Sequence, residues 1–272
     1  MKKQILIAGL MALSLTAAQA AGDPKKIVVD GSTTVGPIAK AFAEYYMKAH
    51  PDVNITVSES GSGNGAKGII NGACDVGTLS RAMKTEELEA AKGKKRNPVQ
   101  HTIAFDGLAV VVHPSNPVQS LSKDQLRDIF TGEIKSWQEV GGPNLKIVVI
   151  SRDTNSGTYE TFHEQVTKAG RITDRAEYVG SNGAVRQRVQ STPAAIGYVG
   201  LAFTEGLKPV TINGIEATPE NVLAKKYPIS RGLFMYTAGE PAAGTALGDY
   251  VNLYKAADGK KLVAEQGFVP VQ

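Results

Sequence analysis

Short β-type runs alternate with helical runs along most of this chain, and polar, glycine-bearing loops separate them. Ile27-Val28-Val29 reads as a strand that Asp30-Gly31-Ser32-Thr33-Thr34 breaks. Pro37 suits the first turn of a helix, and Ile38, Phe42, Tyr45 and Tyr46 follow at helical spacing. Val53 to Val57 alternates like a strand, Gly61-Ser62-Gly63-Asn64-Gly65 reads as a loop, and Ala66 to Asn71 as a short helix. Cys74 to Leu79 is the next strand, ending at Ser80-Arg81. A charged helix is predicted from Lys84, fading by Asn97 into the basic stretch Lys92-Gly93-Lys94-Lys95-Arg96, read as a solvated helix end.

The second half repeats the rhythm. Leu108 to Val112 is a strong strand closed by Pro114, Lys123 to Phe130 a helix, and Ile147 to Ile150 a strand running into Ser151-Arg152-Asp153-Thr154-Asn155-Ser156-Gly157-Thr158. A helix with Tyr159, Phe162 and Val166 on one face follows, then strands at Ala195 to Val199 and Leu233 to Tyr236. Trp137 is read as a local packing anchor. The repeated strand, loop and helix predicts an α/β fold with a largely parallel sheet.

The first twenty residues set the compartment. Lys2 and Lys3 precede the apolar run Ile5 to Leu15, and Ala18-Gln19-Ala20 supplies the small residues of a signal-peptidase site. This predicts a cleavable secretory signal over residues 1–20, a mature chain from about Ala21, and a periplasmic protein not embedded in the membrane. No cysteine stands at the cleavage point to carry a lipid. The whole chain has 30 Lys and Arg against 26 Asp and Glu. Two of those lysines belong to the leader, so the mature protein is nearly neutral and carries no nucleic-acid signature. Cys74 is the single cysteine, which excludes an internal disulfide, and its small apolar neighbours argue for a buried thiol.

Three loops share one design: Ser32-Thr33-Thr34, Ser62 in its glycine run, and Ser156-Gly157-Thr158 each follow a strand and open a helix. A helix N-terminus offers unpaired N–H groups and partial positive charge, glycine admits close approach, and hydroxyls add donors without charge. Taken singly, each loop is better explained by helix capping, and only their combination favours a ligand role. The glycine run is no dinucleotide fingerprint, because Ala66 holds its last position, and no Lys-Ser or Lys-Thr pair completes a P-loop there. Arg152, four residues before Ser156, adds a guanidinium fork suited to an oxyanion, with a salt bridge to Asp153 or Glu160 as its alternative role.

On these residues the chain resembles the phosphate-binding proteins of bacterial phosphate ABC importers. The likeness rests on Gly31-Ser32-Thr33-Thr34 with Pro37, Gly61-Ser62-Gly63, Asp75-Val76-Gly77, Phe130 through Trp137, Arg152 through Thr158, and Ile196-Gly197-Tyr198-Val199. It implies a type II periplasmic-binding fold, with two α/β lobes, each a mostly parallel sheet flanked by helices, and phosphate in the cleft between them. Expected lobes are residues 26–107 with 208–272, and residues 108–207. The resemblance also implies ligand roles for Thr33, Thr34, Ser62, Arg152, Ser156, Gly157 and Thr158, beside Ser32 from the loop itself. Some relatives carry an Asp after the third strand to accept the phosphate proton; this chain has Ser80-Arg81 there. Ser80 and Arg81 join the candidate ligands, Arg81 with a surface salt bridge as its alternative. Asp106 is the nominated proton acceptor, with a turn role beside Gly107 as its alternative.

The expected partners are inorganic phosphate and the membrane permease of an ABC importer, with no nucleic acid, no cofactor, no metal and a monomeric chain. Binders of sulfate or molybdate remain open, because neutral donors at helix ends suit any tetrahedral oxyanion. A surface or matrix protein that reuses the fold also remains open. A phosphate-ester hydrolase is disfavoured: His50, His101, His113 and His163 lack metal-ligand spacing, and no carboxylate-rich two-metal motif occurs.

Overall fold

A computed structural model describes residues 25–272, so the expected leader lies outside the described residues. The first part of the chain forms β1 (Lys26–Gly31), α1 (Gly36–Ala49), β2 (Asn54–Ser58), α2 (Ser62–Asn71), β3 (Val76–Leu79), α3 (Thr85–Gly93) and β4 (Pro98–Val112). The middle forms β5 (Ser120–Leu121), α4 (Lys123–Thr131), β6 (Val148–Arg152), α5 (Gly157–Gln165), β7 (Glu177–Val179), α6 (Asn182–Gln190) and β8 (Ala195–Gly200). It ends with β9 (Lys208–Pro209), β10 (Thr211–Ile212), α7 (Pro219–Leu223), β11 (Ser230–Ala238), α8 (Ala246–Asn252), α9 (Ala257–Glu265) and β12 (Val269–Pro270).

Where strand, loop and helix repeat, the pairing is parallel: β1 lies between β2 and β3, and β6 between β7 and β8. The sheet joining these two triplets is antiparallel. β4 pairs with β11 over Pro98–Gly107 and then with β8 over Leu108–Val112, and β11 also pairs with β3. The overall path is β2-β1-β3-β11-β4-β8-β6-β7, with β9 and β12 on β4. The sheet is therefore mixed at its centre, because β4 and β11 run in opposite directions between the halves.

Each half has its own core. Val29, Ile38, Phe42, Ile103, Leu233 and Tyr250 belong to one, Val110, Phe130, Trp137, Phe162, Val185 and Tyr198 to the other. Val210, Ile212, Val222, Tyr227 and Ile229 also pack into the second. Trp137 is fully buried and its Nε1 donates to the Ala194 carbonyl at 2.9 Å, so it does anchor its subregion. Among the described residues, no helix is long and apolar enough to cross a membrane.

Two local expectations are corrected. Tyr45 is exposed and donates its hydroxyl to Asp258 at 2.6 Å, whereas Ile38, Phe42 and Tyr46 are buried. One residue turns about 100° around a helix, so adjacent tyrosines cannot share a narrow face. α2 begins at Ser62 inside the glycine run rather than at Ala66. A Cβ on Gly65 would stand 2.8 Å from the Thr78 carbonyl oxygen and 3.0 Å from that of Asp30. Glycine there lets the first turn of α2 lie on β1 and β3.

Candidate functional site

The three loops converge at the ends of β1, β3 and β6. Beyond β1, Ser32 Oγ accepts from the backbone N–H of Thr34 at 3.1 Å and of Val35 at 3.3 Å, fixing the entry to α1. Ser62 opens α2, and its Oγ accepts from Ser80 N at 3.1 Å and lies 3.2 Å from Ser80 Oγ. Ser156 caps α5, its Oγ accepting from the N–H groups of Thr158 at 3.2 Å and Tyr159 at 3.3 Å. Together Ser32, Thr33, Gly61, Ser62, Ser80, Arg152, Ser156, Gly157 and Thr158 line a small, tightly walled pocket.

Hydrogen-bond accounting gives this wall a polarity. A hydroxyl has one proton and two acceptor lone pairs. Ser32 and Ser156 each spend both lone pairs on backbone N–H groups, which leaves their protons for the pocket. Thr33 Oγ1 accepts from Asn182 Nδ2 at 3.2 Å and Arg152 Nη2 at 3.4 Å, with the same result. Thr34 Oγ1 accepts from Asn182 Nδ2 at 2.9 Å and Arg231 Nη2 at 3.3 Å, so it donates to Thr158 Oγ1 at 3.1 Å. Thr158 also accepts from Arg231 Nη1 at 3.0 Å, and its own proton then faces the pocket. The Ser62–Ser80 pair alone keeps a choice of donor and acceptor.

Arg152 supplies the charge. It is 1% exposed, with Nε bonded to the Val179 carbonyl at 3.2 Å and Nη2 to that of Gly180 at 2.8 Å. Nη1 is buried with no hydrogen-bond partner among the described residues, which is costly unless a ligand meets it. Burial pulls the guanidinium down to about 10, with Arg231 adding to the effect and Asp153 opposing it. Neither alternative partner pairs with it: Asp153 accepts from Asn155 N at 2.9 Å, and Glu160 faces Arg81 and Lys84.

Three candidate ligands do not line the pocket. Thr34 stands behind Thr158 and orients it. Arg81 is held bidentately by Glu87, at 2.7 and 2.8 Å, and its Nε pairs with Glu160, so the guanidinium is taken up by carboxylates. Asp106 is fully buried; its Oδ2 accepts from Arg231 and its Oδ1 from Leu201 N at 3.1 Å. Burial pushes the Asp106 carboxyl up, and the Arg231 charge and hydrogen bonds oppose that. Because Asp106 balances Arg231, the buried positive charge left over is that of Arg152.

Sequence reasoning missed Arg231 and Asn182. Ser181-Asn182-Gly183 follows β7 and opens α6, so it carried the same loop signal as the other three. Arg231 had none, since it sits at the start of a strand and acts from behind the wall. The pocket wall holds no carboxylate or imidazole to activate a hydroxyl. Among the described residues, no group of three or more His, Cys, Asp or Glu could hold a metal. Cys74 is buried, and desolvation lifts its thiol to about 12, which keeps it protonated and inert at neutral pH.

Residues 16–252 match the sequence profile of the PBP superfamily domain. The phosphate-binding protein PstS of Bacillus subtilis is 34% identical over 248 residues, spanning 90% of this chain and 80% of that protein. PstS of Borreliella burgdorferi is 30% identical over 285 residues, spanning 100% of both. A candidate phosphate ABC transporter substrate-binding protein of Clostridium perfringens, solved with bound phosphate, superposes with a TM-score of 0.85 at 34% identity, covering 91% of this chain and 100% of that one. An ABC-type phosphate transport receptor of Vibrio cholerae gives 0.74 at 28% identity, covering 89% and 99%.

Proposed function

The chain belongs to the phosphate-binding proteins of the PBP superfamily, and from that premise we propose that it captures inorganic phosphate in the periplasm and delivers it to the membrane permease of an ABC importer. The observation that carries this reading is the unpartnered Nη1 of Arg152 in a pocket walled by inward-donating hydroxyls. One buried cation, three helix N-termini and neutral donors suit a small dianion that leaves again intact. The ligand set is Ser32, Thr33, Ser62, Ser80, Arg152, Ser156, Gly157 and Thr158, with Thr34, Asn182 and Arg231 as supports. The protein is a binder rather than a hydrolase, because the hydroxyls lack a neighbouring base.

The two cores support a lobe over residues 108–207 packed against one made of 26–107 with 208–272. The packing of Val210 through Ile229 with the second core favours moving the later boundary from 208 to about 230, where β11 begins. The lobes then hinge where β4 and β11 cross, and closure buries the anion. Calorimetric titration of the mature protein with phosphate, sulfate and molybdate tests the function. Phosphate should bind most tightly, and preference for either rival would overturn the assignment.

A further inference from the structure

We infer that Arg81 and Glu160 form a clasp between the two halves beside the pocket, and that this clasp sets how long a captured anion stays without touching it. The inference rests on the proposed oxyanion site and adds a role that no pocket-lining residue performs. Arg81 follows β3, whose Leu79 packs with Tyr236 and Met83 in the first half, and Glu160 lies in the first turn of α5, whose Phe162 belongs to the second core. The ion pair between them therefore crosses the cleft.

Its parts are unequal in a way that suggests an order of assembly. Glu87 grips both Nη atoms of Arg81, and its Oε2 also accepts from Lys84 N at 2.8 Å at the start of α3. All three residues lie within one short stretch, so the first half can preset the guanidinium by itself. Arg81 Nη1 also donates to the Ala82 carbonyl at 2.9 Å. That leaves Nε and one Nη2 proton free, and it is Nε that meets the incoming Glu160, whose other oxygen takes Lys84 Nζ at 3.0 Å.

Pocket and clasp close in a single docking step. A Cβ on Gly157 would stand 2.6 Å from Ser62 Oγ, 2.7 Å from Ser80 Oγ and 3.1 Å from Arg81 Cγ. The N-terminus of α5 thus seats directly on the end of β3, and Glu160 reaches Arg81 in the same approach. Arg81, Lys84, Glu87 and Glu160 balance two charges against two. The clasp consequently adds contacts across the cleft while leaving the net charge that faces the anion to Arg152. A bare Glu160 carboxylate near the pocket would repel an anion, and its two cations remove that penalty.

Stopped-flow release of inorganic phosphate, with sulfate and molybdate run in parallel, measures the clasp on whichever anion the protein holds. Glu160→Gln should speed release roughly tenfold with little change in association, because interface changes act mostly on dissociation. Arg81→Gln should speed release as much and also slow association, because it leaves Glu87 and Glu160 against Lys84 alone. Lys84→Met, at a more exposed position, should give a smaller change in the same direction and serves if either buried variant folds poorly. The double variant Arg81→Gln/Glu160→Gln should be no faster than the worse single variant, since the two residues act as one pair. Unchanged release in the singles, or strictly additive effects in the double, would overturn the clasp. A protein that prefers sulfate would overturn the phosphate assignment and leave the clasp to be judged on sulfate release.

Discussion

Arg231 lies directly across β11 and β4 from Asp106, its Nη2 2.8 Å and its Nε 3.1 Å from the carboxylate Oδ2. The pair joins the two strands that connect the halves. Nη1 of the same guanidinium reaches past Asp106 to Thr158 at 3.0 Å and the Ser80 carbonyl at 3.3 Å. A single buried side chain therefore holds the crossover together and steers a hydroxyl of the pocket wall.

That double duty separates stability from binding. Asp106→Asn should lower unfolding stability by about 3–5 kcal/mol, because it strands a buried guanidinium without its counter-charge. Asp106→Leu with Arg231→Met should recover much of that loss, as apolar replacement of a buried pair often does. The double variant should still bind phosphate more weakly, since Thr158 and Thr34 lose the donor that orients them. Denaturant midpoints beside calorimetric titration would check both halves. A double variant that regained stability and full affinity would confine Arg231 to the fold.

Arg152→Ala should weaken phosphate binding by several kcal/mol, since losing one partner of a desolvated charge pair costs ~2–5 kcal/mol. Arg152→Lys should recover little of it, because an ammonium cannot bond Val179 and Gly180 and also reach the pocket. Titration of both variants is the measurement, and unchanged affinity in Arg152→Ala would misplace the site.

The pH dependence of stability should carry a contribution from His101. Its ring is buried, and Nε2 lies 3.0 Å from Thr237 Oγ1, which itself donates to the Gly239 carbonyl at 2.8 Å. Thr237 therefore accepts, His101 is neutral with its proton on Nε2, and a second proton on Nδ1 is disfavoured. Burial lowers its pKa, with Lys255 adding to that and Glu240 opposing it. The unfolded chain then takes up protons more readily below the ordinary value of about 6.5, and stability falls as pH drops below it. His101→Gln should flatten the part of the melting-temperature profile that lies below about pH 6.5. An identical acid slope in the variant would remove His101 as its cause.

Much of the site was legible because it is built from short contiguous runs. Ser32-Thr33, Ser62 and Arg152 through Thr158 each lie where a strand ends, and local chemistry alone marks such a place as a helix N-terminus able to hold an anion. What stayed hidden depends on contacts distant in sequence. Asp106 looked like a ligand, but Arg231, 125 positions away by its number, claims it, and Arg81 is shared between Glu87 close by in sequence and Glu160, 79 positions away. Tyr45 and the start of α2 were misjudged for a different reason. Periodicity gives a helix's existence more reliably than its edges, and the glycines of α2 are helical because packing on β1 and β3 demands it.

Ser80 should govern how well phosphate is told from sulfate. Ser32, Thr33, Ser156 and Thr158 can only donate into the pocket, as their lone pairs are already occupied. Near neutral pH phosphate keeps at least one proton and sulfate keeps none, so a wall of donors alone cannot tell them apart. If Ser80 donates to Ser62 Oγ across their 3.2 Å contact, Ser80 Oγ is left to accept the phosphate proton. The same hydroxyl can rotate and donate to sulfate instead, so it favours phosphate without strongly penalising its rival. A carboxylate in that position cannot rotate away from the problem, since it would confront sulfate with an unpaired negative charge. Ser80→Asp should therefore leave phosphate within a few-fold and weaken sulfate at least about tenfold, which is ~1.4 kcal/mol. Ser80→Ala removes the acceptor but keeps the backbone N–H to Ser62 Oγ, and should cost phosphate about 0.5–1.5 kcal/mol with less effect on sulfate. Competition titrations at neutral pH read both ratios. If Ser80→Asp weakens the two anions equally and Ser80→Ala changes neither ratio, the proton is accepted elsewhere in the wall, and Ser62 is the remaining hydroxyl able to take it.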